Sequence, residues 1–291
     1  MNSIIRKWKK YIVATILSQL TTRSQAPGRL RRGLLRTALT AGVLAVLVWS
    51  WRGTEMDLAQ LSQSGPRVAD FLDRMFPPNL ATSETELRPF PPPLQLAGKA
   101  VALTLQISIL GTAIGTCTAF LLGFFAAENL TPHWVHHSVK MGFALLRSIP
   151  VIILALLFVA AVGLGAFPGV LAIAIHSIGM LGKLFAEECE DVYGGVWEAM
   201  DSAGANWLQK IRYAIWPQVA PQYFSLMLFR LDMNIRDSAV LGFVGVAGLG
   251  LWIENYRRSF DYASVATMVL ITMLVVLVVE QASIQIRRRL R

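Results

Sequence analysis

The chain has 291 residues, 54% of them hydrophobic and 15% charged, with a mean hydropathy of +0.51, which excludes an ordinary soluble domain and points to a membrane protein. Its formal net charge of +9 is concentrated at the ends, with nine Lys or Arg and no acid in residues 1–36 and four arginines after Ile286. No basic segment fits a nucleic-acid-binding module, so the charge is read as a positive-inside signal placing both termini on the cytoplasmic side.

In chain order, residues 1–33 form a basic arm. Its "IIRKWKKYIVATILSQL" lacks the small-residue cleavage site of a signal peptide and suits an amphipathic helix on the inner membrane face, with an unstructured arm as the plain alternative. Residues 34–286 are expected to form one six-helix transmembrane domain, since about 20 mostly apolar residues cross a bilayer core. The spans are expected at 34–51, 100–127, 141–162, 170–185, 221–244 and 262–279. Between the first two, residues 52–99 make a mixed-charge, proline-rich loop expected outside the cell. His133, His136 and His137 are expected in a solvated loop rather than at a metal. "GLGAFPG" is a tight turn, and residues 287–291 are a basic cytoplasmic tail. Cys117 and Cys189 support neither a disulfide framework nor a zinc site.

The most informative loop, 186–217, is expected in the cytoplasm and contains "VWEAMDSAGANWLQKIRYAIWPQVAP". It reads as two short helices around a turn. Gly204 suits the left-handed position past a helix end, Asn206 can cap the next helix, and Pro217 is expected to stop it. Glu198, Ala199, Gly204 and Pro217 stand at the spacing of the "EAA" loop of ABC importer permeases, and Met200, Ala214 and Trp216 depart from that pattern. "AVGLGAFPGVLAIAIHSIGMLGKLFAEECE", "SAGANWLQKIRYAIWPQVAPQ" and "FRLDMNIRDSAVLGFVGVAGLG" together resemble the phosphonate-type branch of these permeases. The resemblance implies an all-α, type I importer fold in the bacterial cytoplasmic (inner) membrane. It also implies that Glu198, Ala199, Gly204, Ala205 and Pro217 belong to a coupling helix seated on a cytoplasmic ATPase. A homodimer of this chain with two ATPase subunits and an external substrate-binding protein would follow.

The fifth span carries "LFRLDMNIRDSAVLGFVG", with four charges inside an apolar segment. At about 100° per residue Arg230, Asn234 and Asp237 share one face, while Asp232 and Arg236 share the opposite side in a favourable i, i+4 order. One reading has the acids neutralise the arginines and hold helices together. The other has Arg230, Asn234 and Arg236 line the path of a small oxyanion, muted by Asp232 and Asp237; His176 is expected to hydrogen-bond within the bundle, with a place along the path as the alternative. "VGVAGLG", 244–250, lacks a nucleotide fingerprint and is expected to turn the chain back near the outer surface.

No Gly-x-x-x-x-Gly-Lys-[Ser/Thr] phosphate loop occurs, so ATP and Mg belong on a partner ATPase, and this chain is expected to bind no cofactor or metal and to catalyse no reaction. The expected function is the permease of an ATP-driven importer for a phosphonate, phosphite or hypophosphite. The alternative within transport is another small ligand such as an amino acid. An intramembrane enzyme would need a catalytic constellation that is missing, since there is no His-Glu-x-x-His and no Gly-x-Ser-x-Gly.

Overall fold

The computed structural model describes residues 29–54, 63–80, 89–192 and 194–290, and all of its regular elements among those residues are helical. Contacts divide the chain into 1–68 and 69–291. In the first unit, α1 (Arg29–Gly53) contains the expected first span and begins within the residues assigned to the arm. Its side chains from Arg36 onward are exposed, Trp49 to 77%. The expected amphipathic helix up to residue 28 lies outside the described residues.

The second unit holds nearly everything else. The stretch 52–99 is not loop throughout: α2 (Gly65–Met75) begins just before the unit boundary, and α3 (Pro93–Ala126) starts seven residues before the expected second span. Pro93 at the first helical turn explains the earlier start, because a proline there has preset φ and no N–H to waste. "FPPNL" is tied down by Asn79, whose backbone N–H donates to the Ala263 carbonyl at 3.0 Å and whose side-chain amide donates to Ser264 Oγ at 2.9 Å.

The expected third span is broken. α4 (His133–Ser148) and α5 (Val151–Val162) meet at an 82° bend, with Ile149 and Pro150 extended between them. Pro150 disfavours helical backbone at the residue before it, which is why the apolar run does not stay one helix. α6 (Ala166–Glu190), α7 (Gly194–Ser202), α8 (Trp216–Leu241), α9 (Leu249–Arg258) and α10 (Tyr262–Leu290) complete the order. Three described helices are long and apolar enough to cross a membrane, α3, α6 and α10, or four if the bent α4–α5 pair is one span. α8 matches them in length, at 26 residues, but carries Arg230, Asp232, Arg236 and Asp237.

α3 and α6 run parallel and form the centre. Small residues recur every four positions along α3 at Gly111, Gly115, Ala119 and Gly123, and the other helix lies so close that a Cβ on Gly115 would meet Ser177 Cβ at 2.7 Å and the Ala174 carbonyl at 2.9 Å. Close backbone approach through small residues replaces the hydrophobic effect, which lipid tails weaken. Gly179 does the same for α4, where a Cβ would meet Leu146 Cβ at 2.8 Å.

The glycine segment after α8 packs back onto α3. Leu249 N–H donates to Thr104 Oγ1 at 2.9 Å, and Thr104 lies eleven residues into α3, about 16 Å along it at 1.5 Å per residue. Val246 and Leu249 of this segment are buried, while Phe243 is exposed. The segment's irregular backbone is satisfied by pairing with the α5–α6 turn: Gly165 N–H donates to the Gly245 carbonyl at 3.3 Å, and Ala247 N–H to the Gly165 carbonyl at 3.1 Å.

Candidate functional site

A polar seam runs between α3, α6 and α8. On α3, Thr104, Ser108 and Thr112 are buried at four-residue steps, each hydroxyl donating to the carbonyl one turn back, at 2.9, 2.8 and 2.6 Å. Such back-bonding lets hydroxyls sit in an apolar bundle and leaves their lone pairs free to accept. Asn234 of α8, fully buried, uses two of these hydroxyl-bearing positions: its Nδ2 donates to Thr112 Oγ1 at 2.7 Å and to Ser177 Oγ of α6 at 3.0 Å, while its carbonyl, 3.2 Å from Ser108 Oγ, shares that hydroxyl's one proton with the Thr104 carbonyl.

One turn earlier on α8, Arg230 is 3% exposed. Its Nε donates to Ser177 Oγ at 3.1 Å, Nη1 to Met180 Sδ at 3.3 Å, and Nη2 to His176 Nδ1 at 2.6 Å. Guanidinium has no acceptor, so His176 Nδ1 is the lone pair and the imidazole proton is on Nε2. Asp237 is the counter-ion, but at 3.8 Å from Nη2 it neutralises the arginine without a short hydrogen bond. Two further acceptors or donors in the seam, Asn234 Oδ1 and Ser238 Oγ, are buried without a hydrogen-bond partner among the described residues.

The second arginine lies elsewhere. Arg236 is half-exposed, bonds Asp232 Oδ2 at 2.6 Å, and reaches Glu280 of α10 at 3.6 Å. The helical-face reading is therefore met: Arg230, Asn234 and Asp237 share the α3–α6 side, and Asp232 with Arg236 forms a separate pair toward α10. Both arginines have acidic partners, so the pairing reading is met as well. Ser177, Thr112, Ser108 and Met180 were not singled out from sequence. The only signal for them was a scatter of small polar residues among apolar ones, and the interval of 65 positions between Thr112 and Ser177 hides their proximity.

The loop at 186–217 is built as a bent helix pair. α7 ends in a Gly cap: Gly204 has φ +69°, its N–H donates to the Asp201 carbonyl, and Ala205 N–H donates to the Met200 carbonyl, both at 3.0 Å. This is the Schellman pattern, with glycine where a Cβ would be penalised. Asn206 then forms a reciprocal capping box with Gln209, Gln209 N–H donating to Asn206 Oδ1 at 3.0 Å and Asn206 N–H to Gln209 Oε1 at 2.8 Å. Pro217 does not stop the second helix. A π-helical turn over Lys210–Ile215 leads straight into α8, so Pro217 falls in the first turn of a new helix, where its missing N–H costs nothing.

The pair is amphipathic in three dimensions. Trp197, Met200, Ile211 and Trp216 pack on a core of Phe124, Phe185, Cys189, Ile215 and Tyr223, and Lys210 sits 4.6 Å over the Trp197 ring while pairing with Asp201. Glu198, Ala199, Gly204 and Pro217 are exposed, Ala205 is half-buried, and Leu208 and Tyr213 are exposed beside them. The histidines expected in a loop lie instead on the first two turns of α4, where Pro132 starts the helix; His136 is buried and His133 stacks on His137 with ring centroids 5.8 Å apart.

Residues 119–291 match the binding-protein-dependent transport system inner membrane component family, a stretch that includes the bent pair and both arginines. The chain belongs to that family. The permease is 35% identical over 261 residues to the phosphite transport system permease protein PtxC of Stutzerimonas stutzeri, covering 89% of this chain and 90% of that one. It is 36% identical over 245 residues to the phosphate-import permease protein PhnE of Mycolicibacterium smegmatis, covering 84% of this chain and 44% of the relative. An inward-facing methionine ABC transporter, MetNI, shares the fold at a TM-score of 0.62 and 20% identity, over 68% of the permease and 97% of that chain.

Proposed function

We propose that the permease forms the translocation path of an ATP-driven importer for a small phosphorus oxyanion, with phosphonate or phosphite as the class. The observation that carries this is Arg230: a guanidinium buried in an apolar bundle, oriented by Ser177 and His176 and only loosely balanced by Asp237. Arginine presents paired donors matched to phosphorus oxygens, and a weak counter-ion leaves attraction to spare. Asn234, its two amide protons held by Thr112 and Ser177, would fix the seam wall one turn from Arg230, and Arg236 with Asp232 would make a second station nearer α10. A path that bound tightly would not release, so the acids mute each station.

The rest of the machine follows from the bent helix pair. The exposed edge made by Glu198, Ala199, Gly204, Ala205 and Pro217 would seat on a partner ATPase that holds ATP and Mg, two copies of the permease would enclose the path, and a binding protein would deliver the anion from outside. Both termini would then be cytoplasmic. Closure of the ATPases would move the pair, and the π-helical turn joins it directly to α8, which carries the arginines.

The test is reconstitution in vesicles with the partner ATPase and binding protein, asking which of phosphonate, phosphite, hypophosphite, phosphate and an amino acid stimulates hydrolysis and is taken up. Phosphonate or phosphite should stimulate, and Arg230→Gln should abolish uptake with the complex assembled. Stimulation by the amino acid alone would replace the substrate class, and full uptake by the variant would remove Arg230 from the path.

A further inference from the structure

Away from the seam, a cleft of about 210 Å³ opens between the first half of α8 and the last turns of α10, lined by Ser225, Ile284, Arg287 and Arg288. Among the described residues neither arginine has a carboxylate partner; Arg287 Nε only donates to the Ser283 carbonyl at 3.3 Å. Two guanidiniums beside a hydroxyl, in a cleft with no acid among its described lining residues, form an anion-binding group.

The exposed face of α10 that leads to this cleft is apolar in its first part. α10 exposes Leu270, Met273, Leu274 and Leu277, spaced i, i+3, i+4, i+7. Arg288 lies eighteen residues beyond Leu270, about five full turns at 3.6 residues per turn, so it lies on the same face, with exposed Gln281 between it and Leu277. The distance along the helix is about 27 Å, close to the thickness of a bilayer core. The exposed face of α10 is thus apolar over Leu270–Leu277, about 10 Å, polar at Gln281 and cationic at Arg288, the order of acyl chain, ester region and phosphate in one lipid molecule.

We propose that this cleft is a binding site for an anionic phospholipid, with the phosphodiester on Arg287, Arg288 and Ser225 and an acyl chain along Leu277, Leu274, Met273 and Leu270. A free oxyanion would have no use for the apolar stripe or for Ile284 in the lining. A second copy of the chain would bring the same run of four arginines to this end and so no complementary charge. Basic clefts at the cytoplasmic end of membrane helices meet the leaflet richest in anionic lipid.

Native mass spectrometry of the full-length chain, released from detergent with its co-purifying subunits, tests this because it reads bound lipid and oligomeric state together. With dioleoylphosphatidylglycerol, occupancy should exceed that with dioleoylphosphatidylcholine by about tenfold. Arg288→Gln should lower it severalfold, whereas Arg289→Gln, which removes the same charge outside the cleft, should not. Should Arg288→Gln fail to insert, Ser225→Leu fills the cleft without touching a charge and should give the same loss. Equal effects of Arg288→Gln and Arg289→Gln would reduce the site to diffuse charge. Displacement by inorganic phosphate would make it a free-anion site. A change of oligomeric state with lipid occupancy intact would make it a subunit contact. Any of the three overturns the proposal.

Discussion

Gly204 carries the sharpest test of how the bent pair transmits force. Its φ of +69° lies in the left-handed region, and no atom lies within 4 Å of where a Cβ would stand, so substitution acts on the backbone and not through a clash. An L-residue there costs roughly 1–2 kcal/mol, and a β-branched one more. If the backbone relaxes instead, the two cap hydrogen bonds at Gly204 and Ala205 are lost, each worth about 1 kcal/mol. Either way Gly204→Val shifts the turn by about 2 kcal/mol, some 30-fold in its local equilibrium. The assay is the ratio of anion imported to ATP hydrolysed in reconstituted vesicles. Membrane insertion should be unaffected, and the ratio should fall in the order Gly, Asn, Ala, Val, because asparagine tolerates left-handed backbone better than alanine does. A valine variant coupled as tightly as the wild type would refute the reasoning. So would asparagine worse than alanine, which would mean that side-chain size, not φ, governs the turn.

Three further outcomes are expected. Arg236→Gln strands the buried Asp232 carboxylate and should lower the unfolding temperature in detergent, while adding Asp232→Asn should restore it; if Arg236 also lines the path, uptake stays depressed in the double variant, and its recovery would assign the pair to structure alone. Gly115→Val should destabilise the α3–α6 contact by about 1–3 kcal/mol, since even the first added carbon meets Ser177 and Ala174 below van der Waals distance; a melt unchanged from wild type would contradict the close approach. On α9, hydrogen bonds from Arg257 and Arg258, at 2.7 and 2.6 Å, pull the Glu254 carboxyl from its ordinary 4.5 down to about 2. A carboxyl lowered on folding stabilises fully above its unfolded value and loses that contribution as pH falls from about 4.5 through about 2. Glu254→Gln should therefore lower the melting temperature at pH 6 and have little effect near pH 2; equal losses at both would show that the charge is not what matters.

Much of the local chemistry was readable from the chain. Helix ends are written in a few residues, and Gly204, Asn206 and Gln209 form the cap and capping box that their types suggest, because those bonds join neighbours within three to five positions. Periodicity likewise separated the Arg230–Asn234–Asp237 face from the Asp232–Arg236 pair. Local reasoning failed where a residue's effect depends on what its neighbours do next. Pro217 should end a helix, yet a π-helical turn absorbs the mismatch and turns the proline into a starter; Pro150 sits in an apolar run long enough to span, yet bends it by 82°.

By itself, then, the sequence determined that this is an apolar, helical, positive-ended chain with a capped turn of one recognisable spacing, since composition and short-range hydrogen bonding need no partner to be read. Tertiary structure alone decided which hydroxyls meet Arg230, because Thr112, Ser177 and Asn234 come together only when the glycine stripe of α3 lets α6 approach to backbone distance. It also decided how the segment from Gly242 to Gly248 is held, since the pairing of Gly165 with Gly245 and Ala247 comes from a turn some eighty positions earlier in the chain, which the local bonds of Gly245 to Gly242 and Val246 to Leu241 do not reveal.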